Sequence, residues 1–392
     1  MALSDLSGMA ATLGRTVGGK ISEKLSENTK FAQLRTKLPS GLGLDVESSL
    51  YAYSVLRSLV YSIEGFTLPA VAAAVERKRP RFPTDDPKMF NAARTALDDL
   101  LRQDAHRIVE GIYPVEVLKP ENPLKHLKRF GPLLMEGLRL AGRRKERKSH
   151  EFSEEAKDLL NDVPEYYRRN FHFQGDGYLS RESAELYEHQ VEVLFAGAAD
   201  AMRRLIIAPM KKKFGNVSGE GLTFLEIGSG TGRATRFVRL AFPRAKIVSL
   251  DLSAPYVKKA QESLRAFARH DFVEGDAAHM PFLNETFDAV FSVFVFHELP
   301  RTERKAVMEE SLRVLKPGGF IGAVDSLQLG DNADFDGALE QFPRDFHEPF
   351  YTDYIKNPTE ALFAELGLEG IETALGFFSK AVSARKASPS VN

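Results

Sequence analysis

Leu225-Glu226-Ile227-Gly228-Ser229-Gly230-Thr231-Gly232 reads as an apolar strand running into a turn with glycine at every second position. Glycine has no Cβ and accepts positive φ, so such a turn lets the backbone approach a ligand closely. An acid, Glu226, stands two places before the first glycine. Residues 233–242 then read as a helix whose N-terminal N–H groups face the same spot. A second strand over 246–250 ends in Asp251. That carboxylate follows the glycines by about 20 residues, the spacing at which an acid reaches a ribose in nucleotide-binding βαβ units.

A glycine-rich turn alone also serves tight strand-to-helix packing, so the downstream chain has to decide between the two uses. An amphipathic helix is expected over 254–268 and a strand ending Phe272-Val273-Glu274-Gly275-Asp276-Ala277. A strand over 287–293, a helix over 301–315, the turn Lys316-Pro317-Gly318-Gly319 and a strand over 320–324 follow. Strands and helices alternating in steps of this length imply a parallel sheet covered by helices on both faces, an α/β fold.

With these motifs in this order, residues 220–386 resemble the class I S-adenosylmethionine-dependent methyltransferases, in the branch of the ubiquinone, menaquinone and sterol enzymes. The alternate spacing GxGxG is that family's, as distinct from the GxGxxG of dinucleotide oxidoreductases. The resemblance implies a Rossmann-like doubly wound sheet with a C-terminal antiparallel hairpin, here over 370–377 and 379–384 after a helix at 359–366. It also implies S-adenosyl-L-methionine as cofactor. Glu226, Gly228, Ser229, Gly230 and Gly232 match the loop that cradles its methionine part. Asp251 matches the acid on the ribose hydroxyls and Leu252 the apolar residue beside the adenine. Asp276 and Ala277 match the pair that reads the adenine amino group. Ser292, Val293 and Phe294 match the end of the fourth strand, beside the sulfonium and the acceptor.

Composition bounds the rest. A chain of 392 residues suggests two or three domains, and a hydrophobic share of 43% is ordinary for a folded core. A formal net charge of -1 offers no global attraction to nucleic acid, and no nucleic-acid partner is expected. There is no cysteine, hence no disulfide framework and no thiolate zinc site, and no metal is expected. Cysteine-dependent arsenite and cytosine C5 methylation are excluded on the same ground. Enzymes that methylate adenine or glutamine amino groups carry an Asn or Asp with two prolines after the fourth strand, where this chain has Ser292-Val293-Phe294-Val295. A small-molecule acceptor is favoured instead. The start of the chain has no basic region leading into an apolar run, and no stretch reaches the roughly 18 apolar residues that cross a bilayer. A cytoplasmic protein is the expectation.

Ahead of the core, residues 1–165 read as a mainly helical domain, with apolar residues at helical spacing over 50–75 and 89–111 and a proline-rich break over 80–87. The first 40 residues and the tail 387–392 are expected to be loosely ordered. Residues 123–149 form a basic amphipathic helix, which suits either a docked surface helix or peripheral contact with an anionic membrane. Residues 166–220 read as a lid or linker plus a helix over 185–204 leading into the core at 221–386. In the family this segment folds over the cofactor, which makes Tyr178 and His172 candidates for ligand contact, or else packing between the two halves. A second aromatic cluster, Phe342, Phe346, His347, Phe350, Tyr351 and Tyr354, falls where related enzymes line the acceptor pocket.

The expected activity is methyl transfer to a small apolar or aromatic acceptor resembling a quinone, lipid or natural product. Methyl transfer is an in-line displacement, so much of the acceleration can come from alignment. Should a base be needed, His297, His172 and His347 are the candidates, because imidazole titrates near neutrality. A catalytically silent scaffold of the same fold and a nicotinamide-dependent oxidoreductase remain the alternatives.

Overall fold

The computed structural model describes residues 45–76, 87–119, 123–146 and 148–388. The first 40 residues, nearly all of the proline-rich break at 80–87, and 389–392 of the tail lie outside them. In chain order the principal helices ahead of the sheet are α1 (Val46–Glu76), α2 (Pro87–Val109), α3 (Pro123–Glu146), α4 (Glu154–Leu159), α5 (Arg181–Leu194), α6 (Ala199–Arg203) and α7 (Ile207–Phe214). The core alternates β1 (Thr223–Ile227), α8 (Arg233–Ala241), β2 (Lys246–Asp251), α9 (Ala254–Leu264), β3 (His270–Glu274), β4 (Phe287–Val293), α10 (Arg301–Val314) and β5 (Leu315–Ser326). It closes with α11 (Asp336–Phe346), α12 (Tyr351–Tyr354), α13 (Thr359–Glu365), β6 (Glu369–Gly376) and β7 (Ser379–Arg385).

The seven strands lie in the order β3-β2-β1-β4-β5-β7-β6. The first five are parallel, while β7 runs antiparallel to both β5 and β6. The doubly wound sheet with an antiparallel hairpin at its edge is therefore as expected. Nearly every residue of β1, β2 and β4 is buried, as a parallel sheet covered on both faces requires. The expected Lys316–Gly319 turn is absorbed into the start of β5, and the ladder with β4 shifts register between Phe287 and Ala289.

Side chains alternate across β1 and so divide two cores. Phe224 joins Phe237 of α8 and Phe291 of β4 on one face, and Leu225 and Ile227 join Val290 and Met308 on the other. The helical N-terminal half shares the first of these cores: Leu100, Leu101 and Ile108 of α2 pack with Phe224 and Phe237. The same half is pinned by a buried ion pair. Arg204 donates from Nε and Nη2 to the two oxygens of Asp104 at 2.8 and 2.6 Å, and the Tyr113 hydroxyl donates to Asp104 at 2.6 Å. Such a two-pronged arrangement is the strong form of a charge-assisted bond.

The helix expected over 185–204 is two helices. The chain turns at Ala196 (φ 50°) and Gly197 (φ 78°), between α5 and α6. A Cβ on Gly197 would stand 3.0 Å from Ser58 Cα and the Tyr61 ring, so α1 comes close to the backbone at this corner. On α3, Leu133 is buried, and Glu136 and Arg143 turn inward. Glu136 accepts the Gly175 amide at 2.9 Å, and Arg143 donates to the Phe173 carbonyl at 2.6 Å. These bonds tie the segment before α5 to the helical half. Among the described residues, no helix is long and apolar enough to cross a membrane.

Candidate active site

A cleft opens at the C-terminal ends of β1, β2 and β4, where the strand order reverses about β1. This is where open α/β sheets bind ligands. Its floor is the glycine turn. Gly228 (φ 61°) lies under β4's exit, and a Cβ there would fall 2.5 Å from Val295 Cγ2. Gly230 (φ 55°) is different: no atom lies within 4 Å of the place its Cβ would take, so bare backbone faces the cleft. The Ser229 amide donates to the Leu250 carbonyl at 3.1 Å, and the Gly230 amide to Asp251 Oδ2 at 2.7 Å. The turn is thus fastened to β2.

Asp251 sits at the cleft edge with Oδ1 accepting the Ser253 amide at 2.9 Å. Burial raises its carboxyl to about 6, against the pull of the two amides. Each oxygen retains a second lone pair, so the group can still accept from a ligand diol. Leu252, Asp276 and Ala277 line the next part of the wall. Asp276 is oriented by the Ala278 amide at 2.8 Å.

Five tyrosines, Tyr166, Tyr167, Tyr178, Tyr187 and Tyr256, make the opposite wall together with Phe294. Phe294 adopts a left-handed backbone (φ 59°), donates its amide to the Val324 carbonyl at 2.8 Å and stacks over Phe195. Tyr178 stacks on Phe171 at 5.5 Å between ring centres, meets Tyr256 edge-on at 5.4 Å, and donates its hydroxyl to Glu298 Oε1 at 2.5 Å. The segment before α5 therefore lies along the cleft, its aromatic rings packed together and Tyr178 among the residues that line the cavity.

Several expected residues stand elsewhere. Glu226 shares the Phe224 face of β1, beneath α8, where Thr235 donates to it. It is walled off from the cleft, and burial pushes its carboxyl up to about 8. Ser292 and Val293 are buried within β4, paired with Ile227, Ala323 and Val324, and do not line the cavity. Gly232 caps α8 rather than facing ligand, and its Cβ position lies 2.7 Å from Leu264 Cδ1.

The three histidines separate. His347 ends α11, lies 5.2 Å from the Phe173 ring, and does not line the cleft. Burial brings it down to about 4, with the Arg169, His150 and His172 charges adding to the fall. His172 and His297 lie just behind the cleft wall in a charged cluster. His172 presents Nδ1 to Glu348 at 2.7 Å and Nε2 to Glu298 at 3.5 Å. His297 Nδ1 lies 2.6 Å from Asp325 Oδ1, and its Nε2 3.8 Å from Glu298. Burial opposes the charge of each ring. The Glu348 and Glu298 carboxylates nevertheless hold His172 up at about 10, and Asp325 holds His297 up at about 9. Both are imidazolium at neutral pH and donate protons rather than take them. The ordinary titration range that favoured them as bases is not theirs here.

Tyr187, Tyr256, Glu298 and Glu348 were not singled out from the sequence. Glu298 adjoins His297 and lines the cleft, so its neighbour was a usable signal. Tyr256 occupies the buried face of α9, indistinguishable by spacing from a core residue. Glu348 follows α11 and reaches the cluster only through the tertiary fold. Two groups among the described residues could hold a metal ion: His172 with Glu298 and Glu348, and Glu64 with His126 and His189. In the first, each imidazole nitrogen already meets a carboxylate.

A family model described as a methyltransferase domain matches residues 224–319. An uncharacterized methyltransferase of Geobacillus kaustophilus is 30% identical over 167 residues, which cover 42% of this chain and 70% of that protein. The fatty-acid O-methyltransferase of Mycolicibacterium smegmatis is 29% identical over 162 residues, covering 41% of this chain and 52% of the relative. The demethylmenaquinone methyltransferase of Thermotoga maritima is 31% identical, covering 31% of this chain and 57% of the relative. The chain thus spans about half the length of these last two relatives. Human N-acetylserotonin methyltransferase, solved with S-adenosylmethionine, is 18% identical over 64% of this chain and 67% of its own, with a TM-score of 0.44.

Proposed function

The chain belongs to the class I S-adenosylmethionine-dependent methyltransferases, and from that premise we infer that it methylates a small apolar or aromatic acceptor of quinone, lipid or natural-product type. The observation that carries this reading is the cleft itself, walled by five tyrosines and Phe294, with Glu298 also in its lining. Aromatic walls bury flat or apolar ligands with little loss of side-chain freedom. The names of the relatives, a fatty-acid and a demethylmenaquinone enzyme, support an apolar acceptor.

The residues present fit the cofactor. Open space above Gly230 leaves room for its methionine part against the backbone. Asp251 would take the ribose hydroxyls, with Leu252, Asp276 and Ala277 around the adenine. When bound, the cofactor supplies an electrophilic methyl group on a positively charged sulfur. The chain's part is to align the acceptor with that methyl, to keep water out beneath the segment carrying Tyr178, and to receive a proton where the acceptor loses one. Glu298 is the group for that last task. Its carboxylate faces the cleft, and the imidazolium rings of His172 and His297 behind it balance its charge. Those two histidines are positioning residues in this reading.

The full chain, incubated with methyl-labelled S-adenosylmethionine and separate pools of quinones, fatty acids and phenols, should pass label into an organic-soluble product identified by mass spectrometry. Label confined to water-soluble products would overturn the acceptor class.

A further inference from the structure

The geometry points to a divalent transition-metal site, built from Glu64, His126 and His189, between three helices of the N-terminal half. Glu64 comes from α1, His126 from α3 and His189 from α5, which are brought together only by the tertiary fold. Both imidazoles present Nε2 to the one carboxylate: His126 to Oε1 at 2.6 Å and His189 to Oε2 at 2.7 Å. One ligand atom from each residue lies within 4.8 Å of the others.

The donor set is that of a zinc-type ion. Two neutral imidazoles and a carboxylate fill three positions and leave at least one open. Tetrahedral bonds of about 2.0–2.1 Å put donor atoms roughly 3.3 Å apart, so the nitrogen-to-oxygen contacts need open by less than about 1 Å. The rings lie side by side, with centres 4.3 Å apart and planes 33° from parallel, and both Nε2 atoms meet the one carboxylate. Tyr61 meets both rings edge-on at 5.5 and 5.8 Å and forms an apolar wall. The His189 side chain is only 1% exposed.

The contrast with the cleft cluster sharpens the assignment. There, one ring lies between two acids, one at each nitrogen, so the donors are a single imidazole and two carboxylates. Here, two rings converge on a single acid through one nitrogen each. The site also touches the rest of the machinery, because His189 follows two residues after Tyr187, which lines the cleft. A bound ion would tie α1 and α3 to α5 and fix the rotation of that tyrosine.

The test uses the full chain, stripped with a chelator, dialysed and titrated with Co(II). One ion per chain, visible ligand-field absorption, displacement by Zn(II) and a rise in Tm with Zn(II) are expected. Glu64→Gln and His126→Ala should each lose the absorption and bind at least about 100-fold more weakly. His279→Ala, whose parent side chain is 83% exposed, should bind as the wild type does. Glu64→Gln keeps the size of the parent and an acceptor oxygen for one of the two imidazoles, and a native circular dichroism spectrum separates lost ligation from lost fold. Absence of stoichiometric binding by the wild type, or equal binding by a folded Glu64→Gln protein, overturns the site.

Discussion

The Gly230 amide donates to the Asp251 carboxylate across 2.7 Å, so the turn after β1 and the tip of β2 are set as one unit. The bare backbone and the acid that would meet the cofactor's two ends are therefore positioned before it arrives. Such preorganisation reduces the ordering cost of binding.

Asp251→Ala should weaken S-adenosylhomocysteine binding by about 1.5–3 kcal/mol, the worth of a charged hydrogen bond to the ribose. Isothermal titration calorimetry measures it. Asp251→Asn, which keeps an acceptor for one amide, should fall between wild type and Ala, and an affinity unchanged in both would remove Asp251 from this role.

The first two glycines should respond differently to alanine. Both are left-handed, so each substitution costs roughly 1–2 kcal/mol of backbone strain. Gly228→Ala adds a collision with Val295 Cγ2, at 2.5 Å, and should lower Tm further than Gly230→Ala does. Gly230→Ala meets open space, and its larger effect should be on cofactor affinity, since the new methyl group projects into the cleft. Paired melting and binding curves distinguish the two.

Glu226 gives a pH prediction. Its carboxyl titrates near 8 in the folded chain against an ordinary 4.5. The folded state therefore holds a proton that the unfolded state has released, and stability falls as pH rises from about 4.5 to 8. Glu226→Gln should flatten that fall, read from chemical denaturation at pH 5 and pH 8. An unaltered slope would mean that the buried acid does not titrate as stated.

His172 has linkage of the same sign from a different cause, paired carboxylates in place of burial. Its raised value, about 10 against 6.5, stabilises the fold fully below the ordinary value and ceases to do so as pH climbs through the folded one. His172→Gln should cost most near pH 6 and little above pH 10, provided the two carboxylates are the cause.

The parallel sheet and its cofactor face were legible because they rest on local signals. Alternate glycines, an acid at the end of β2 and the strand–helix period all lie within about 30 residues of one another, the length of a βαβ unit. Glu226 does not line the cleft, and the strand period supplies the reason: two residues after Phe224, it shares that residue's face of β1. The helix over 185–204 breaks at Ala196 and Gly197, both left-handed, where α1 comes close to the Gly197 backbone. Glu348 and the Glu64 triad were invisible as sites, since each depends on partners far away in the chain. Free imidazole titrates near neutrality, but neighbouring acids raise His172 and His297 well above that range and burial takes His347 below it.

Asp104 carries a last consequence. It belongs to the helical half, yet it neutralises an arginine sunk beneath the sheet. Losing Asp104 alone would leave that guanidinium buried without its partner, at about 3–5 kcal/mol, and cutting away residues 1–165 would also uncover the apolar face that Leu100, Leu101 and Ile108 protect. The amino-terminal portion is thus no detachable accessory: calorimetry should record one melting peak for the intact polypeptide, and expression of the carboxy-terminal portion alone should yield insoluble material.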